Sequence, residues 1–198
     1  MKDLQRIKKT GLYFGSFNPI HIGHLAIGNF MIEFSALEEL WFVVSPQNPL
    51  KEKKSLLKDY HRLEMVRLAV EDDDRFRVSD IEFKLPTPSY TIDTLTYLEE
   101  KHPAREFQLV MGADGLHTFH KWKNAGLIAK RYHRLIYPRP GTDPEEMAAI
   151  PNSTLVDAPL MEISSSFIRQ AIREGKDIRH LIPAKAYAYM REMHFYEK

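Results

Sequence analysis

The stretch GLYFGSFNPIHIGHLAIGNFMIEF, residues 11–34, contains the patterns that decide the fold. GLYFG (11–15) is a short apolar run bounded by turn residues, typical of a strand buried on both faces of a parallel sheet. In HLAIGNFMIEF (24–34), apolar residues recur mostly at three- and four-residue spacing, which predicts a helix. Between them, GSFNPIHIGH (15–24) predicts a sharp turn. The order is therefore a strand, a turn and a helix that begins at His24.

The same alternation of apolar runs and helical patterns continues along the chain. Further strands are predicted at LWFVVS (40–45), FRVSDIEF (76–83), EFQLVMG (106–112), RLIYP (134–138) and TLV (154–156). Further helices are predicted at 60–70, 91–101, 164–175 and 183–193. Strands that alternate with helices predict an α/β fold with a doubly wound parallel sheet. The length of 198 residues fits a single domain over 1–198.

Composition and charge exclude several classes of protein. With a formal net charge of +1, the chain has no general electrostatic attraction to nucleic acid or to an anionic membrane. It contains no Cys, which rules out disulfides and thiolate metal clusters. Neither a signal peptide nor a run of about 20 apolar residues is found, so we expect a cytoplasmic protein that does not bind membranes.

The turn at residues 15–24 is a candidate anion site. It follows a central strand, and open α/β sheets bind ligands at the carboxyl ends of such strands. The N–H groups of a helix start, with His21 and His24, form a set of donors suited to phosphate. The turn has neither the Gly-Lys-Ser/Thr of a Walker loop nor G-x-G-x-x-G. The alternatives are surface or helix-capping histidines and a zinc pair, for which further ligands are not evident.

ISSSFIR, residues 163–169, is a second candidate anion site. Taken alone, three serines before an apolar-periodic run predict a helix N-cap, and Arg169 is then a solvated side chain. Beside the first stretch, the same residues suit phosphate, because serine hydroxyls, helix N-terminal N–H groups and a guanidinium all donate. A crevice for a triphosphate would need both sites.

Both stretches resemble the signatures of a known family. GSFNPIHIGHL is similar to the G-x-F-x-P-x-H-x-G-H signature of the nucleotidyltransferase superfamily, and ISSSFIR to its I-S-S-T-x-I-R signature. The resemblance implies a Rossmann-like sheet of the nucleotidyltransferase type, which transfers a nucleotidyl group from a nucleoside triphosphate and releases pyrophosphate. It implies that His21, His24 and Arg169 are catalytic. Because the attacking group is itself a phosphate, the protein needs only to position the substrates and neutralise charge.

The resemblance also implies a set of ATP-binding residues and a cation. The ATP-binding residues are Gly15, Ser16, Phe17, His21, His24, Gly112, Asp114, Ile163, Ser164, Ser165, Ser166 and Arg169. Asp114 falls where the family's aspartate contacts the ribose hydroxyls, which suits a side chain that only accepts hydrogen bonds. Mg²⁺ is implied through the ATP phosphates. No metal site built from protein side chains is expected, because Mg²⁺ commonly keeps its waters and binds substrate phosphates.

The middle of the chain resembles bacterial nicotinate mononucleotide adenylyltransferases. The similar stretches are PSYTIDTL (88–95), VMGADGLHTFHKW (110–122) and PRPG (138–141). The resemblance implies an acceptor site in which Thr91 and Lys123 offer backbone N–H groups to the nicotinate carboxylate and Trp122 stacks on the pyridine ring. It adds Lys51 and Arg139 to the acceptor-binding residues. Taken by themselves, Trp122 also fits a core position and Thr91 a helix N-cap.

Two positions depart from the family pattern. Family members commonly carry P-P-H-K after the second strand, whereas this chain has NPLK (48–51), with Leu50 at the histidine position. Asn18 stands where Asp is frequent, which keeps a polar turn residue and removes a charge. NPLK lies within a lysine-rich stretch, 45–59, that predicts a long surface loop.

The resemblance implies an enzyme of NAD biosynthesis. The expected reaction is adenylyl transfer from ATP to nicotinate mononucleotide, which gives nicotinate adenine dinucleotide and pyrophosphate. Two alternatives stay open: an adenylyltransferase for nicotinamide mononucleotide or pantetheine phosphate, and a non-catalytic nucleotide-binding regulator that has kept the fold. ATP and the mononucleotide are the expected partners and nucleic acid is not, while homo-oligomerisation stays open.

Overall fold

The structure is a computed structural model that describes residues 6–46, 56–143 and 150–197. Within these ranges six strands form one sheet, each parallel to its neighbours. The strands are β1 Lys8–Gly15, β2 Glu39–Val44, β3 Phe76–Ser79, β4 Arg105–Gly112, β5 Arg134–Tyr137 and β6 Ser153–Leu155. Their order is β3-β2-β1-β4-β5-β6. Strands β2 and β3 therefore lie on one side of β1 and strands β4 to β6 on the other, so the strand order reverses between β1 and β4. The predicted doubly wound parallel sheet is confirmed.

Helices connect the strands. In the described part of the chain they are α1 Ile22–Phe34, α2 Asp59–Val70, α3 Thr91–Lys101, α4 Leu116–Phe119, α5 Ala125–Arg131, α6 Ser165–Arg173 and α7 Ala184–Glu192. All five predicted helices are present, although α1 begins at Ile22 rather than at His24. Among the helices of the described ranges, none has the length and apolar character needed to cross a membrane.

Two predictions about secondary structure are wrong. FRVSDIEF (76–83) is not extended throughout, because a 3₁₀ turn at Ile81–Phe83 follows β3 and the N–H of Lys84 donates back to the Ile81 carbonyl (3.0 Å). The sequence pattern also fails to predict α4 and α5. Both helices are short, and Asn124, the N-cap of α5, has a left-handed φ of 54°, so no apolar period of helical length is available there.

Side chains of the central strands alternate between two cores, one on each face of the sheet. In β1, Tyr13 joins the core formed with α1, α2, α6 and α7, whereas Leu12 joins the core formed with α3 and α5. In β2, Phe42 and Trp41 divide in the same way. Successive residues of a strand point to opposite faces, so a strand covered on both faces is apolar throughout. This explains the continuous apolar runs of the sequence.

A buried carboxylate ties three neighbouring strands together at the amino edge of the sheet. Glu39, at the start of β2, is completely buried and accepts hydrogen bonds from Thr10 Oγ1 (2.8 Å), Lys8 Nζ (2.9 Å) and Arg105 Nε (2.7 Å). Burial by itself raises the pKa of Glu39. The hydrogen bonds outweigh burial and lower this pKa from 4.5 to about 2.

Glu39→Gln is expected to remove part of the acid sensitivity of folding. Because the folded pKa lies below the unfolded value, the carboxylate stabilises the fold fully above about pH 4.5 and loses this effect as the pH falls toward 2. The drop in unfolding free energy from pH 7 to pH 3 should be about 2 kcal/mol smaller in the variant. Denaturant titrations at both pH values measure it, with the neighbouring Glu38→Gln as control. An unchanged drop in Glu39→Gln would contradict this account of the cluster.

Candidate active site

A cleft of about 480 Å³ opens at the carboxyl edge of the sheet, beside the reversal point between β1 and β4. Its lining includes most of the predicted ATP-binding set, namely Gly15, Ser16, Phe17, His21, His24, Asp114, Ile163, Ser164, Ser165, Ser166 and Arg169. Gly112, the remaining residue of that set, ends β4. The structure thus brings two stretches that are distant in sequence to the switch point where open α/β sheets bind ligands.

The turn after β1 is compact because a glycine and a phenylalanine fit closely together. Phe17 is buried, has a left-handed φ of 43°, and places its ring centroid 5.1 Å from that of His24. A Cβ on Gly15 would lie 2.7 Å from the Phe17 ring, so glycine is required there. A side chain at positive φ costs on the order of 1–3 kcal/mol and persists where its surroundings fix it. Phe17 is therefore a rigid neighbour of the histidines.

The two histidines of the turn stack at the start of α1. His21 is the N-cap of the helix, and the centroids of the two imidazole rings are 3.7 Å apart. The backbone N–H of His21 donates to Nδ1 of His24 over 3.2 Å. A ring nitrogen that accepts a hydrogen bond carries no proton, so His24 is held as the tautomer with its hydrogen on Nε2. This hydrogen makes the Nε2 atom of His24 a donor.

His21 is neutral at physiological pH. Burial, and after it the positive charge of Arg139, lowers the pKa of His21 from 6.5 to about 4. Its Nδ1 atom is buried and has no hydrogen-bond partner among the described residues. Buried polar atoms in native proteins are generally hydrogen-bonded, to protein, water or ligand. A bound anion would raise this pKa and accept a hydrogen bond from the ring.

The start of α6 is fastened to the turn after β1. Ser165 Oγ donates to the carbonyl of Pro19 (2.8 Å), and the Arg169 guanidinium donates to the carbonyl of Asn18 (2.7 Å). Ser164 is the N-cap, and its hydroxyl accepts from the backbone N–H three residues along (3.2 Å). The two predicted anion sites therefore form one continuous wall of the cleft.

Arg169 is not the solvated residue that ISSSFIR alone predicts. Its side chain is half-buried in the cleft wall, and burial lowers its pKa. The guanidinium also donates to Ser166 Oγ (3.3 Å), while its Nε atom is buried without a partner among the described residues. An arginine in this state stays charged. A buried, charged donor in the wall of a cleft is suited to an anion.

Asp114 and Arg139 pair within the cleft. The Asp114 carboxylate is largely exposed, with Oδ1 3.7 Å from Arg139 Nε. A Cβ at Gly112 would clash with this oxygen, so the carboxylate can take this position only because residue 112 is glycine. Arg139 also donates to the Met161 carbonyl (2.9 Å). The family resemblance implies that Arg139 binds the acceptor. In the structure Arg139 lines the cleft, close enough to His21 to lower the pKa of that histidine.

Thr91, Trp122 and Lys123 belong to a second neighbourhood, around the start of α3. Thr91 is the first residue of α3, and Tyr90 is the N-cap, so Thr91 is not itself the cap. The first N–H groups of a helix have no partner within the helix. Lys123 Nζ lies 2.8 Å from Asp93 and 4.7 Å from the centroid of the Tyr90 ring. These contacts place Lys123 beside the helix start that carries Thr91.

Trp122 and Phe14 connect this neighbourhood to the cleft. Trp122 is half-buried, and its ring centroid lies 5.3 Å from that of Phe119. Phe14 lines the cleft and packs against the same core as Trp122. A half-buried indole keeps an exposed area on which an aromatic ligand can stack. The two neighbourhoods thus adjoin through one core.

Two features near the cleft could not be predicted from the sequence. The hydroxyls of Tyr13 and Tyr137 are 2.9 Å apart, and both residues line the cleft. Arg62 of α2 is completely buried. Tyr13 lies inside an apolar strand and Arg62 inside a charged helical pattern, so neither carries a local signal. Lys51, together with Leu50 beside it, lies outside the described residues.

The fold and the cleft together define an α/β protein with a ligand cleft at the switch point of a doubly wound sheet. The model of the cytidylyltransferase-like family matches residues 12–171. A relative from Flavobacterium johnsoniae, named "Probable nicotinate-nucleotide adenylyltransferase", is 52% identical over 192 residues, which cover 96% of this chain and 100% of the relative. A relative of the same name from Bacteroides fragilis is 49% identical over 179 residues, with coverage of 90% and 89%. The chain belongs to the cytidylyltransferase-like family and, within it, to the nicotinate-nucleotide adenylyltransferases.

Solved structures share this fold. The Plasmodium falciparum nicotinic acid mononucleotide adenylyltransferase complexed with NaAD matches with a TM-score of 0.80 at 21% identity, covering 96% of this chain and 98% of that one. The same protein complexed with APC matches with a TM-score of 0.78. At this level of identity the likeness concerns the fold alone.

Proposed function

We propose that this chain transfers the adenylyl group of ATP to nicotinate mononucleotide and forms nicotinate adenine dinucleotide and pyrophosphate, a step of NAD biosynthesis. The observation that carries the proposal is the single cleft on which His21, His24 and Arg169 converge from distant stretches. Relatives that are 52% and 49% identical bear the name of this activity. Both substrates dissolve in water, which fits the cytoplasmic location predicted from the sequence.

The proposed reaction needs alignment and charge neutralisation more than acid–base chemistry. An oxygen of the mononucleotide phosphate attacks the α-phosphorus of ATP and forms a new P–O bond. The bond from the α-phosphorus to the oxygen that bridges the β-phosphate breaks, and its electron pair leaves with pyrophosphate. The nucleophile is already anionic at neutral pH, so no proton has to be removed from it. The protein therefore acts by positioning both substrates and by stabilising charge.

Each wall of the cleft supplies donors for this charge. His24, through Nε2–H, and His21 donate to triphosphate oxygens and stabilise the charge that develops at the α-phosphorus and on the leaving pyrophosphate. The serines at 164–166 and the first N–H groups of α6 hold the β- and γ-phosphates, to which Arg169 adds a charge-assisted contact. Asp114 accepts from the ribose hydroxyls.

Mg²⁺ belongs to this proposal through the triphosphate. In the ranges 6–46, 56–143 and 150–197, no group of three or more His, Asp or Glu side chains is placed to hold a metal ion. The donors of the cleft, namely imidazole and guanidinium N–H groups and hydroxyls, suit phosphate oxygens. Mg²⁺ commonly keeps its waters and neutralises the phosphates that bind it.

The acid mononucleotide is expected to be preferred over the amide by at least about tenfold in kcat/KM. The backbone N–H groups of Thr91 and Lys123 can only donate. A carboxylate accepts from both, whereas a carboxamide has one oxygen and turns its own NH₂ toward one donor. An unpaired buried polar group costs about 1–3 kcal/mol. Pyrophosphate release with each mononucleotide measures the preference, and equal use of the two would refute this acceptor site.

Trp122→Ala tests the proposed stacking of the pyridine ring on the indole in the same site. Loss of the indole face should raise KM for both mononucleotides, because the aromatic contact does not depend on the acid group. KM for ATP serves as the internal control and should stay nearly unchanged. If no mononucleotide supports pyrophosphate release by the wild-type protein, the proposed activity is refuted. The alternative of a non-catalytic nucleotide-binding regulator is then favoured.

A further inference from the structure

Arg62 is a buried arginine whose hydrogen bonds are directed at the edge of the active site. It lies in α2, has no exposed surface, and directs each of its five N–H groups to an acceptor. The acceptors are the carbonyls of Ser16, Ser45, Pro46 and Leu57 and the carboxylate of Asp59. Arginine is almost never fully buried unless it is paired. Four of these five partners are backbone carbonyls, so this guanidinium fixes the positions of backbone segments.

The contact with Ser16 reaches the nucleotide cleft. Ser16 and Phe17 line the cleft, and Arg62 does not. The peptide that joins Ser16 to Phe17 is trans, and the C=O and N–H of a trans peptide point in opposite directions. With its carbonyl held by Arg62, this peptide directs the Phe17 N–H to the side away from Arg62. Phe17 has the left-handed φ of 43° noted above, a conformation that needs such support.

The remaining contacts join the turn after β1 to the segments before and after residues 47–55. Arg62 binds the carbonyls of Ser45 (2.9 Å) and Pro46 (3.0 Å) after β2, and the carbonyl of Leu57 (2.9 Å) before α2. The N–H of Leu57 in turn donates to Asn18 Oδ1 (3.2 Å). One side chain thus fixes three chain segments against one another at the carboxyl edge of the sheet.

We propose that Arg62 is a positioning residue for nucleotide binding: it holds the Ser16 carbonyl so that the Phe17 N–H is presented to the triphosphate. The proposal rests on the proposed function for the identity of the ligand. This role differs from a role in stability, because it concerns the orientation of one donor, the Phe17 N–H, toward one substrate, ATP. Binding of ATP should therefore respond to Arg62 more strongly than binding of the mononucleotide, whose pyridine ring is held in the proposed acceptor site around α3.

The test compares ligand binding by calorimetry in Arg62→Met and Arg62→Lys. Methionine fills the volume but donates nothing, and we expect it to raise Kd for ATP about tenfold, in line with the loss of a hydrogen bond to a charged group. Lysine keeps the charge and reaches fewer carbonyls, so it should fold and show a smaller rise. Kd for nicotinate mononucleotide, measured without ATP, should change less than twofold in both.

Arg105→Met is the matched control. It removes another arginine with a buried partner, Glu39, at the opposite edge of the sheet, and should lower the melting temperature while leaving Kd for ATP unchanged. Unchanged ATP binding in Arg62→Lys and Arg62→Met, or equal loss of binding for both ligands, would overturn the inference. Wild-type protein that binds ATP but releases no pyrophosphate would overturn the proposed function alone, because the ATP binding comparison still decides the role of Arg62.

Discussion

Replacing His24 with alanine is expected to lower kcat for pyrophosphate release about 100- to 1000-fold, as removal of one preorganised donor does in other enzymes. The Nδ1 atom of His24 accepts from the His21 N–H, which fixes the hydrogen on Nε2 at a wall of the cleft. This donor is in place before the substrate binds, so the transition state gains it without reorganisation. His21→Ala should act similarly, because His21 stacks on His24 and lines the same wall.

Two amide variants separate the donor from the local structure. In His24→Asn, the side-chain oxygen can take the place of Nδ1 and keep the hydrogen bond from His21, but nothing reaches the position of Nε2. In His24→Gln, an amide nitrogen can reach that position. We expect the asparagine variant to be as slow as alanine and the glutamine variant to be faster. His133→Ala, at the amino end of β5, is the control for loss of a histidine elsewhere. Near-normal turnover in a folded His24→Asn protein would refute the phosphate role.

The sheet could be predicted from the sequence because its central strands are buried on both faces. The apolar runs at 11–15 and 40–45 have few other interpretations when helical patterns separate them. Where this physical cause is absent, the prediction fails. Helices α4 and α5 follow no apolar period, and the turn at Ile81–Phe83 lies beyond the edge strand β3, where no further strand of the described sheet pairs with it.

The presence of the donors of the site in one cleft could also be predicted, since each cluster is contiguous in sequence. What holds the clusters together could not. Arg169 donates to the Asn18 carbonyl across 151 positions, and Arg62 to the Ser16 carbonyl across 46. Every residue has a backbone carbonyl, so no residue type marks the partner of such a contact. The pattern at 163–169 therefore shows which hydrogen-bond donors are present. Only the structure shows which backbone carbonyls they bind.

Arg169→Ala is expected to lower kcat/KM for ATP about 30- to 100-fold, which corresponds to the loss of about 2–3 kcal/mol. The guanidinium is half-buried in the cleft wall and carries an Nε donor without a partner among the described residues. A charged donor in that position makes stronger hydrogen bonds to phosphate than a neutral group. The structure adds a second expectation. Because Arg169 also holds the Asn18 carbonyl, the variant should lose some thermal stability, unlike a solvated helix arginine.

Arg169→Lys and Arg173→Ala divide these two effects. Lysine can still donate to the Asn18 carbonyl and so keep the wall fastened, but it cannot bond that carbonyl and a phosphate with the same forked geometry. It should recover the melting temperature more fully than kcat/KM for ATP. Arg173 lies on the same helix, and its side chain donates a hydrogen bond to Gln170 Oε1 (2.8 Å). Its replacement by alanine should leave the melting temperature and kcat/KM for ATP unchanged. If Arg169→Ala lowers the melting temperature while the kinetics of ATP stay as in the wild type, then the guanidinium fastens α6 to the turn after β1 and does not bind the nucleotide.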